Sequence, residues 1–168
     1  MKKKVFVITG ATSGIGRALC ENFAQDAIVF AGYRREAAQE ELLDISDNVI
    51  PFYIDMTDCG SIAVAAEFIK SRAKNIDTLI NVAGCVVAGA IENLDVHRIK
   101  EQFDVNTFSH LDFTQRLLPI LEGGKIINIS SMASFGIFPF VGPYCASKRA
   151  LDILFRLCHN KWLIFDEK

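Results

Sequence analysis

One tyrosine and one lysine in the sequence stand at a spacing that suits proton transfer. Tyr144 and Lys148 are four positions apart, so on a helix they lie on the same face. An ammonium beside a tyrosine hydroxyl stabilises the phenolate, which lets the pair exchange a proton near neutral pH. Ser131 lies thirteen residues before Tyr144, at the end of an apolar segment, where its hydroxyl can bond the oxygen of a reacting carbonyl. Because this tyrosine–lysine spacing also occurs on ordinary helix faces, the surrounding elements must decide between the two interpretations.

A glycine-rich turn near the amino terminus is suited to binding a phosphate. It follows an apolar segment and precedes a helical pattern. Glycine lets the backbone approach a pyrophosphate closely, and the helix N-terminus behind it offers free N–H groups. An ordinary loop is the alternative, but the position between the first strand and the first helix favours nucleotide binding. The predicted contacts are Gly10, Thr12, Ser13, Gly14, Ile15 and Gly16.

The residues after the second apolar segment distinguish between the nicotinamide cofactors. A carboxylate there would bond the ribose 2′-hydroxyl of NAD, but the chain has Arg34 and Arg35 instead. Guanidinium groups suit the 2′-phosphate of NADP, so we expect NADP(H), with NAD(H) less favoured. The alternatives are a solvated helix start for the arginines, and Glu36 as a poorer ribose partner. Asp55, after the third segment, can accept from an adenine amino group or serve in a turn or helix cap.

The apolar segments of the chain define the scaffold that must position these residues. Five of them are β-branched and mostly lack the alternation of half-exposed strands: 5–8, 28–30, 49–54, 78–80 and 125–129. Helical patterns separate them, including one that Asp58 can cap and two longer ones at about 105–121 and 143–157. This alternation predicts a single three-layer α/β domain over residues 1–168, with a Rossmann-like, doubly wound parallel sheet of order 3-2-1-4-5.

Composition argues against several other classes of function. Hydrophobic residues make up 51% of the 168 residues, and the net charge of −2 argues against a general nucleic-acid binder. No apolar stretch is long enough to span a membrane, so a cytoplasmic protein is expected. The five cysteines and three histidines lack metal-binding spacing, so no metal site is expected. We interpret the cysteines as buried thiols and His97, His110 and His159 as surface or capping residues.

Together, these motifs resemble those of the short-chain dehydrogenase/reductase family. They occur in the family's order and spacing between about residues 4 and 156: Thr9-Gly10-(x)3-Gly14-Ile15-Gly16, Asp55, Asn81-Val82-Ala83-Gly84, Asn106, Ser131 and Tyr144-(x)3-Lys148. The resemblance implies hydride transfer between NADP(H) and a carbonyl or secondary alcohol. It makes Tyr144 the acid–base residue, Lys148 its activator and Ser131 the donor to the substrate oxygen. Ser130 is the neighbouring alternative, but the offset from Tyr144 favours Ser131.

The resemblance also implies roles for the residues after the fourth apolar segment. Asn81, Ala83 and Gly84 are expected to support the sheet and line the cofactor, although Val82 stands where the family often has asparagine. Asn106 is expected to hold a water in a proton relay with Lys148.

A small-molecule carbonyl or alcohol substrate is implied, together with a homo-oligomer formed through the two long helices. The segment Phe135-Gly-Ile-Phe-Pro-Phe140 suggests an apolar substrate, or packing against a further segment or a partner subunit.

Members of this family usually continue beyond the helix that carries the tyrosine and lysine. A further strand with a Pro-Gly turn contacts the nicotinamide, and a substrate-covering segment and a last strand follow. No Pro-Gly turn occurs after Arg156 in this sequence. We therefore expect a C-terminally shortened domain with an open edge at its fifth strand, weak cofactor binding and slow turnover. The alternative function is a catalytically incompetent fragment that binds a nucleotide or a partner.

Overall fold

The computed structural model describes residues 3–157 as one parallel sheet with helices on both faces. The strands are β1 (Val5–Ile8), β2 (Ile28–Tyr33), β3 (Val49–Tyr53), β4 (Thr78–Asn81) and β5 (Lys125–Asn128). The helices are α1 (Gly14–Phe23), α2 (Ala38–Leu43), α3 (Cys59–Arg72), α4 (Val96–Phe103), α5 (Ser109–Leu117) and α6 (Gly142–Leu157). The sheet order β3-β2-β1-β4-β5 confirms the predicted doubly wound topology.

Two apolar cores sandwich the sheet, which explains why its strands lack alternation. One core packs α3 and α5 against the sheet, and the other packs α1 and α2 against it. Neighbouring residues of β1 belong to different cores, since Val7 lies in the first and Ile8 in the second. Strands buried on both faces are therefore apolar at successive positions, as the sequence pattern indicated.

The longest helical region was only partly predicted from the sequence. A π turn, Asp104–Phe108, joins α4 to α5, so helical backbone runs from Val96 to Leu117. The predicted helix at about 105–121 therefore begins too late and ends too late. The start was missed because Gln102 is the one buried residue of α4, which leaves little apolar periodicity to detect. A 3₁₀ turn containing Pro119 ends the region.

The remaining expectations about the scaffold have mixed outcomes. Within residues 3–157, β5 pairs with β4 alone, and Ile127 at this edge is 44% exposed.

Cys20 and Cys145 are buried as predicted, but the prediction is wrong for Cys59 and Cys85, which are exposed. Cys158, His159 and the end of the chain lie outside the described residues. None of the helices described is long and apolar enough to cross a membrane.

Helix α3 depends on the cap that the sequence predicted. The Asp58 carboxylate accepts a hydrogen bond from the Gly60 N–H at 2.8 Å. We expect Asp58→Ala to lower the free energy of unfolding by about 1 kcal/mol, because a backbone N–H of the first turn loses its partner. Urea unfolding measures this change. The exposed loop residue Asp47 provides the control, and an equal loss in Asp47→Ala would show that general charge, not capping, is responsible.

Candidate functional site

The glycine turn after β1 is held so tightly that two of its glycines have no room for a side chain. A Cβ on Gly16 would lie 2.1 Å from the Gly10 carbonyl oxygen, and a Cβ on Gly10 would lie 2.9 Å from the Ala83 Cα. Gly10 and Gly14 also have positive φ angles of 64° and 50°. The turn therefore brings the start of α1 close to β1 and to the loop after β4, as close backbone packing requires.

The N-terminus of α1 is free of side-chain caps. Ser13 occupies the N-cap position, but its hydroxyl bonds no backbone N–H of the helix. The first-turn amides and the positive end of the helix dipole are therefore available to an anion. Thr12 and Ser13 line the cavities on both sides of the turn, and Gly14 and Ile15 line one of them.

Two cavities meet at the glycine turn, at the carboxyl ends of the strands. The first, called here the arginine cavity, has a volume of about 490 Å³ and includes Arg34, the segment after β3 and one face of α4 in its wall. The second, called here the tyrosine cavity, has a volume of about 450 Å³ and includes Tyr144 and Lys148. Both include Gly10, Ala83 and Gly84. Together they form a groove across the switch point of the sheet, where doubly wound proteins bind ligands.

The structure separates the two arginines that the sequence placed together. Arg34 lines the arginine cavity. Arg35 is not among the wall residues, and its guanidinium pairs with the Glu41 carboxylate at 3.3 Å. Only one of the two predicted guanidiniums therefore faces the cavity.

Asp55 has the turn contacts that were the alternative to adenine binding. Its Oδ1 accepts from the Thr57 N–H at 2.9 Å and from the Thr57 hydroxyl at 2.8 Å. Its neighbours Ile54, Met56 and Thr57 line the arginine cavity, whereas Asp55 does not. Asp55 therefore shapes the turn that carries those wall residues.

Asn81 supports the sheet from a buried position rather than lining either cavity. Its side-chain amide donates to the Asn128 Oδ1 at 2.8 Å, which joins β4 to β5 beyond their backbone ladder. Thr9 adds a link that the sequence analysis did not assign. Its hydroxyl oxygen accepts from the N–H groups of Val82 and Ala83 at 3.0 and 3.2 Å. These bonds hold the loop after β4 beside the glycine turn.

Lys148 is the buried cation of the tyrosine cavity. It is 4% exposed, and its Nζ donates to the Ile129 carbonyl at 2.9 Å. Burial lowers the pKa of Lys148 below its usual range, while Asp152 and Cys85 act in the opposite direction. Tyr144 lies one turn earlier on α6 and is half-buried in the same cavity. The predicted pair is therefore brought together, with the ammonium fixed to the end of β5.

The two candidate serines face different surroundings. Ser131 caps a 3₁₀ turn by accepting from the Ala133 N–H at 3.1 Å, which uses the hydroxyl oxygen and leaves its proton available to donate. Ser131 lines a neighbouring cavity of about 510 Å³, which also contains Phe135 and Phe155. Ser130 lines both that cavity and the tyrosine cavity, and its buried hydroxyl has no partner. The serines thus stand side by side where the two cavities meet.

Asn106 is buried in the π turn and forms hydrogen bonds to the loop after β4. Its Oδ1 accepts from the Cys85 N–H at 2.8 Å, and its Nδ2 donates to the Cys85 carbonyl at 2.9 Å and to the Ser147 hydroxyl at 3.0 Å. Asn106 and Lys148 also lie close to Gly84, since a Cβ there would be 3.2 Å from Asn106 Oδ1 and 3.4 Å from Lys148 Nζ. Gly84 thus leaves room for both polar groups.

Two residues of the same helical region were missed by the sequence analysis. The interpretation of His110 as a surface or capping residue is wrong, because it is 0% exposed and its Nε2 bonds the Ala83 carbonyl at 2.8 Å. Gln102, equally buried, accepts from the Val87 N–H. The available signal was the four-residue spacing of Gln102, Asn106 and His110. Among the described residues, no cluster of histidine, cysteine or carboxylate side chains forms a metal site.

Comparisons with known proteins agree with this geometry. A family model described as short chain dehydrogenase matches residues 4–163. An uncharacterized oxidoreductase, YusZ, of Bacillus subtilis is 34% identical over 161 residues, which cover 90% of this chain and 57% of the relative. An NADPH-dependent 3-dehydrocapnine reductase of Ornithobacterium rhinotracheale is 31% identical over 170 residues, which cover 95% of this chain and 60% of the relative.

A solved structure shows the same arrangement of elements. The crystal structure of a short-chain dehydrogenase from Streptomyces avermitilis superimposes with a TM-score of 0.88 at 31% sequence identity. The match covers 94% of this chain and 60% of the other. The chain therefore spans a little over half the length of the proteins it matches.

The buried imidazole of His110 makes the stability of the fold depend on pH. Burial lowers the pKa of His110 from 6.5 to about 4, and the charge of Lys148 acts in the same direction, while the bond to Ala83 opposes both. The unfolded chain therefore takes up this proton first as pH falls. The free energy of unfolding therefore decreases as pH falls from 6.5 toward 4, by up to about 3 kcal/mol.

Chemical unfolding at a series of pH values tests this prediction against His110→Gln, which keeps an N–H donor but cannot be protonated. Carboxylates titrate in both proteins, so the difference between the two curves isolates His110. We expect that difference to grow between pH 6.5 and 4. Parallel curves would contradict the prediction.

Proposed function

The chain belongs to the short-chain dehydrogenase/reductase family, and on this premise we propose that it forms the cofactor-binding part of an NADP(H)-dependent oxidoreductase that interconverts a carbonyl and a secondary alcohol. One observation carries the proposal. The tyrosine cavity brings Tyr144 and the buried ammonium of Lys148 to one side of the glycine turn, while Arg34 lies on the other side.

The residues present fit a dinucleotide. The close packing of Gly10 and Gly16 leaves no room for side chains where a pyrophosphate would approach the backbone. The uncapped N-terminus of α1 offers N–H groups to the phosphates. The arginine cavity would take the adenosine half and the tyrosine cavity the nicotinamide half, with Ala83 and Gly84 in the wall of both.

Charge at the arginine cavity supports NADP(H) rather than NAD(H). Arg34 follows β2 at the position where a carboxylate would suit the ribose 2′-hydroxyl. A guanidinium bonds a phosphate through two parallel N–H groups. The relative from Ornithobacterium rhinotracheale is named as NADPH-dependent, which points the same way.

The chemistry of the site is proton transfer coupled to hydride transfer. When bound, the nicotinamide ring supplies or accepts the hydride. Tyr144 donates a proton to the carbonyl oxygen in reduction and removes it from the alcohol in oxidation. Lys148 is proposed to stabilise the phenolate, and its bond to the Ile129 carbonyl holds the ammonium in the cavity that Tyr144 also lines. Ser131 donates its free O–H to the same substrate oxygen, and Asn106 is the proposed holder of the water that links Lys148 to solvent.

An apolar substrate is the proposed class. No charged residue occurs between Lys125 and Lys148, and the loop Phe135–Phe140 presents apolar side chains to solvent, including Ile137 at 99% exposure. This loop adjoins the cavity that contains Ser131. A hydrocarbon-rich ketone would cover these side chains while its oxygen lies near the serine.

A second candidate function is cofactor binding without turnover. It is favoured by β5, which among the described residues pairs with β4 alone and leaves an unpaired strand edge beside the cavity that contains Ser131. The arginine cavity and the glycine turn lie away from this edge, beside β1 and β2. Loss of a wall at the cavity that contains Ser131 would forfeit part of the near-attack geometry on which hydride transfer depends.

A homo-oligomer formed through the long helices is also proposed. Val96 on α4, Phe108 in the π turn and Ile153 on α6 are exposed at 60%, 52% and 43%. Apolar side chains on adjacent helices favour burial against a second copy.

The role of Tyr144 is tested by removing its hydroxyl. We expect Tyr144→Phe to lower kcat by at least about 100-fold, because general acid–base catalysis contributes that much or more, while leaving the Kd for NADPH within about twofold. NADPH oxidation with a panel of ketones and a fluorescence titration measure the two quantities. Tyr53→Phe, an exposed tyrosine on β3, is the control. Substantial turnover in Tyr144→Phe would remove Tyr144 from its role.

The role of Arg34 is tested by reversing its charge. Arg34→Asp should weaken NADPH binding by at least about tenfold and NADH binding much less, because only NADPH presents a 2′-phosphate. Calorimetric titration with both nucleotides measures the ratio. Arg35→Asp is the matched control, since the Arg35 guanidinium is already paired with Glu41, and it should give the smaller change. Equal losses for NADPH and NADH in Arg34→Asp would contradict the assignment.

A further inference from the structure

A stripe of four polar side chains runs along the helical region from α4 through the π turn into α5. Each bonds a residue of β4 or of the loop that continues it. The helix positions are 102, 106, 110 and 114, and their partners are 87, 85, 83 and 81 in that order: Gln102–Val87, Asn106–Cys85, His110–Ala83 and Thr114–Asn81. Three of these bonds reach the loop backbone, and the fourth joins the Thr114 side chain of α5 to the Asn81 side chain of β4.

The two spacings match because of elementary backbone geometry. Four helical residues rise about 6 Å, and two extended residues advance about 6.6 Å. When a helix lies antiparallel to an extended segment, every fourth residue of the helix can therefore contact every second residue of the segment. The loop from Ala83 to Val87 leaves the sheet and thereby acquires a helix as its hydrogen-bonding partner.

The π turn keeps this stripe on one side of the helix. Four residues of an α-helix overshoot one turn by about 40°, so a long stripe at this spacing would rotate away from the loop. A π turn, with its i→i+5 bonds, holds more residues per turn, and a four-residue step across it falls short instead. The turn Asp104–Phe108 lies at the centre of the stripe, around Asn106, where this correction is needed.

We infer that Gln102 and His110 are positioning residues that hold the loop Ala83–Val87 in register over both halves of the dinucleotide site. The inference rests on the proposed function. Every residue of this loop lines the arginine cavity, and all but Val87 also line the tyrosine cavity. A shift of the loop by one residue would therefore move the walls of both cavities together.

The unpaired atoms of the two residues argue against a purely stabilising role. Gln102 Nε2 and His110 Nδ1 are buried and have no hydrogen-bond partner. A buried polar group without a partner costs stability, so in each residue one atom bonds the loop while another carries that cost. Each residue thus uses one polar atom to bond the loop, while its other polar atom stays buried and unpaired. This arrangement is expected where a side chain fixes the position of the loop rather than adding stability.

The test separates cofactor affinity from stability. We expect Gln102→Met and His110→Leu to raise the Kd for NADPH roughly fivefold, the effect of losing one hydrogen bond, and also to lower Tm, because the Val87 N–H and the Ala83 carbonyl lose their partners. His110→Gln keeps an N–H donor for the Ala83 carbonyl and should restore the Kd to within about twofold. Thr114→Val is the matched control. It removes the hydrogen bond between α5 and the Asn81 side chain of β4, away from the walls of both cavities, so it is expected to lower Tm but leave the Kd unchanged.

Two results would overturn the inference. One is a Kd within twofold of wild type in both Gln102→Met and His110→Leu, and the other is an equal loss of affinity in Thr114→Val. If the wild-type chain binds no NADPH, the proposed function fails, and amide hydrogen exchange then decides the loop register by itself. Slow exchange of the Val87 N–H that becomes fast in Gln102→Met supports the register, whereas exchange unaffected by the substitution refutes it.

Discussion

Where the chain leaves a parallel sheet at the carboxyl ends of its strands, its backbone N–H and C=O groups no longer have a neighbouring strand to bond. In this protein, side chains supply the missing hydrogen bonds. The Thr9 hydroxyl accepts from the N–H groups of Val82 and Ala83. The Asn106 side chain bonds both the N–H and the carbonyl of Cys85, and the Lys148 ammonium donates to the Ile129 carbonyl. A buried backbone group without a partner would cost free energy comparable to a lost hydrogen bond. The need to pair these groups therefore fixes the loops that form the functional site.

The same constraint gives the buried lysine two roles. Its ammonium is costly to bury alone, and the bond to the Ile129 carbonyl offsets part of that cost. Because Ile129 directly follows β5 and Lys148 belongs to α6, the bond also sets the distance between the last described strand and the helix that carries Tyr144. Structural pairing and the geometry proposed for catalysis thus depend on one contact.

The sheet was the most predictable part of the structure, because strands buried on both faces are apolar at successive positions and need no long-range information. Helix α4 was not predictable in the same way, since its single buried residue is polar. Arg34 and Arg35 are chemically equivalent in sequence, and only the position of Glu41 reveals which guanidinium faces the cavity. His110 was misjudged because its partner, the Ala83 carbonyl, lies 27 residues away and carries no sequence signature.

We propose that the glycine turn and the loop after β4 form one nucleotide site. Titration of the isotope-labelled chain with NADP⁺, followed through backbone amide chemical shifts, tests it most directly. We expect saturable shifts at Gly14, Gly16 and throughout Ala83–Val87, and none at Ala73, at the opposite end of the sheet. An absence of saturable shifts in the glycine turn, or shifts confined to the opposite end, would contradict it.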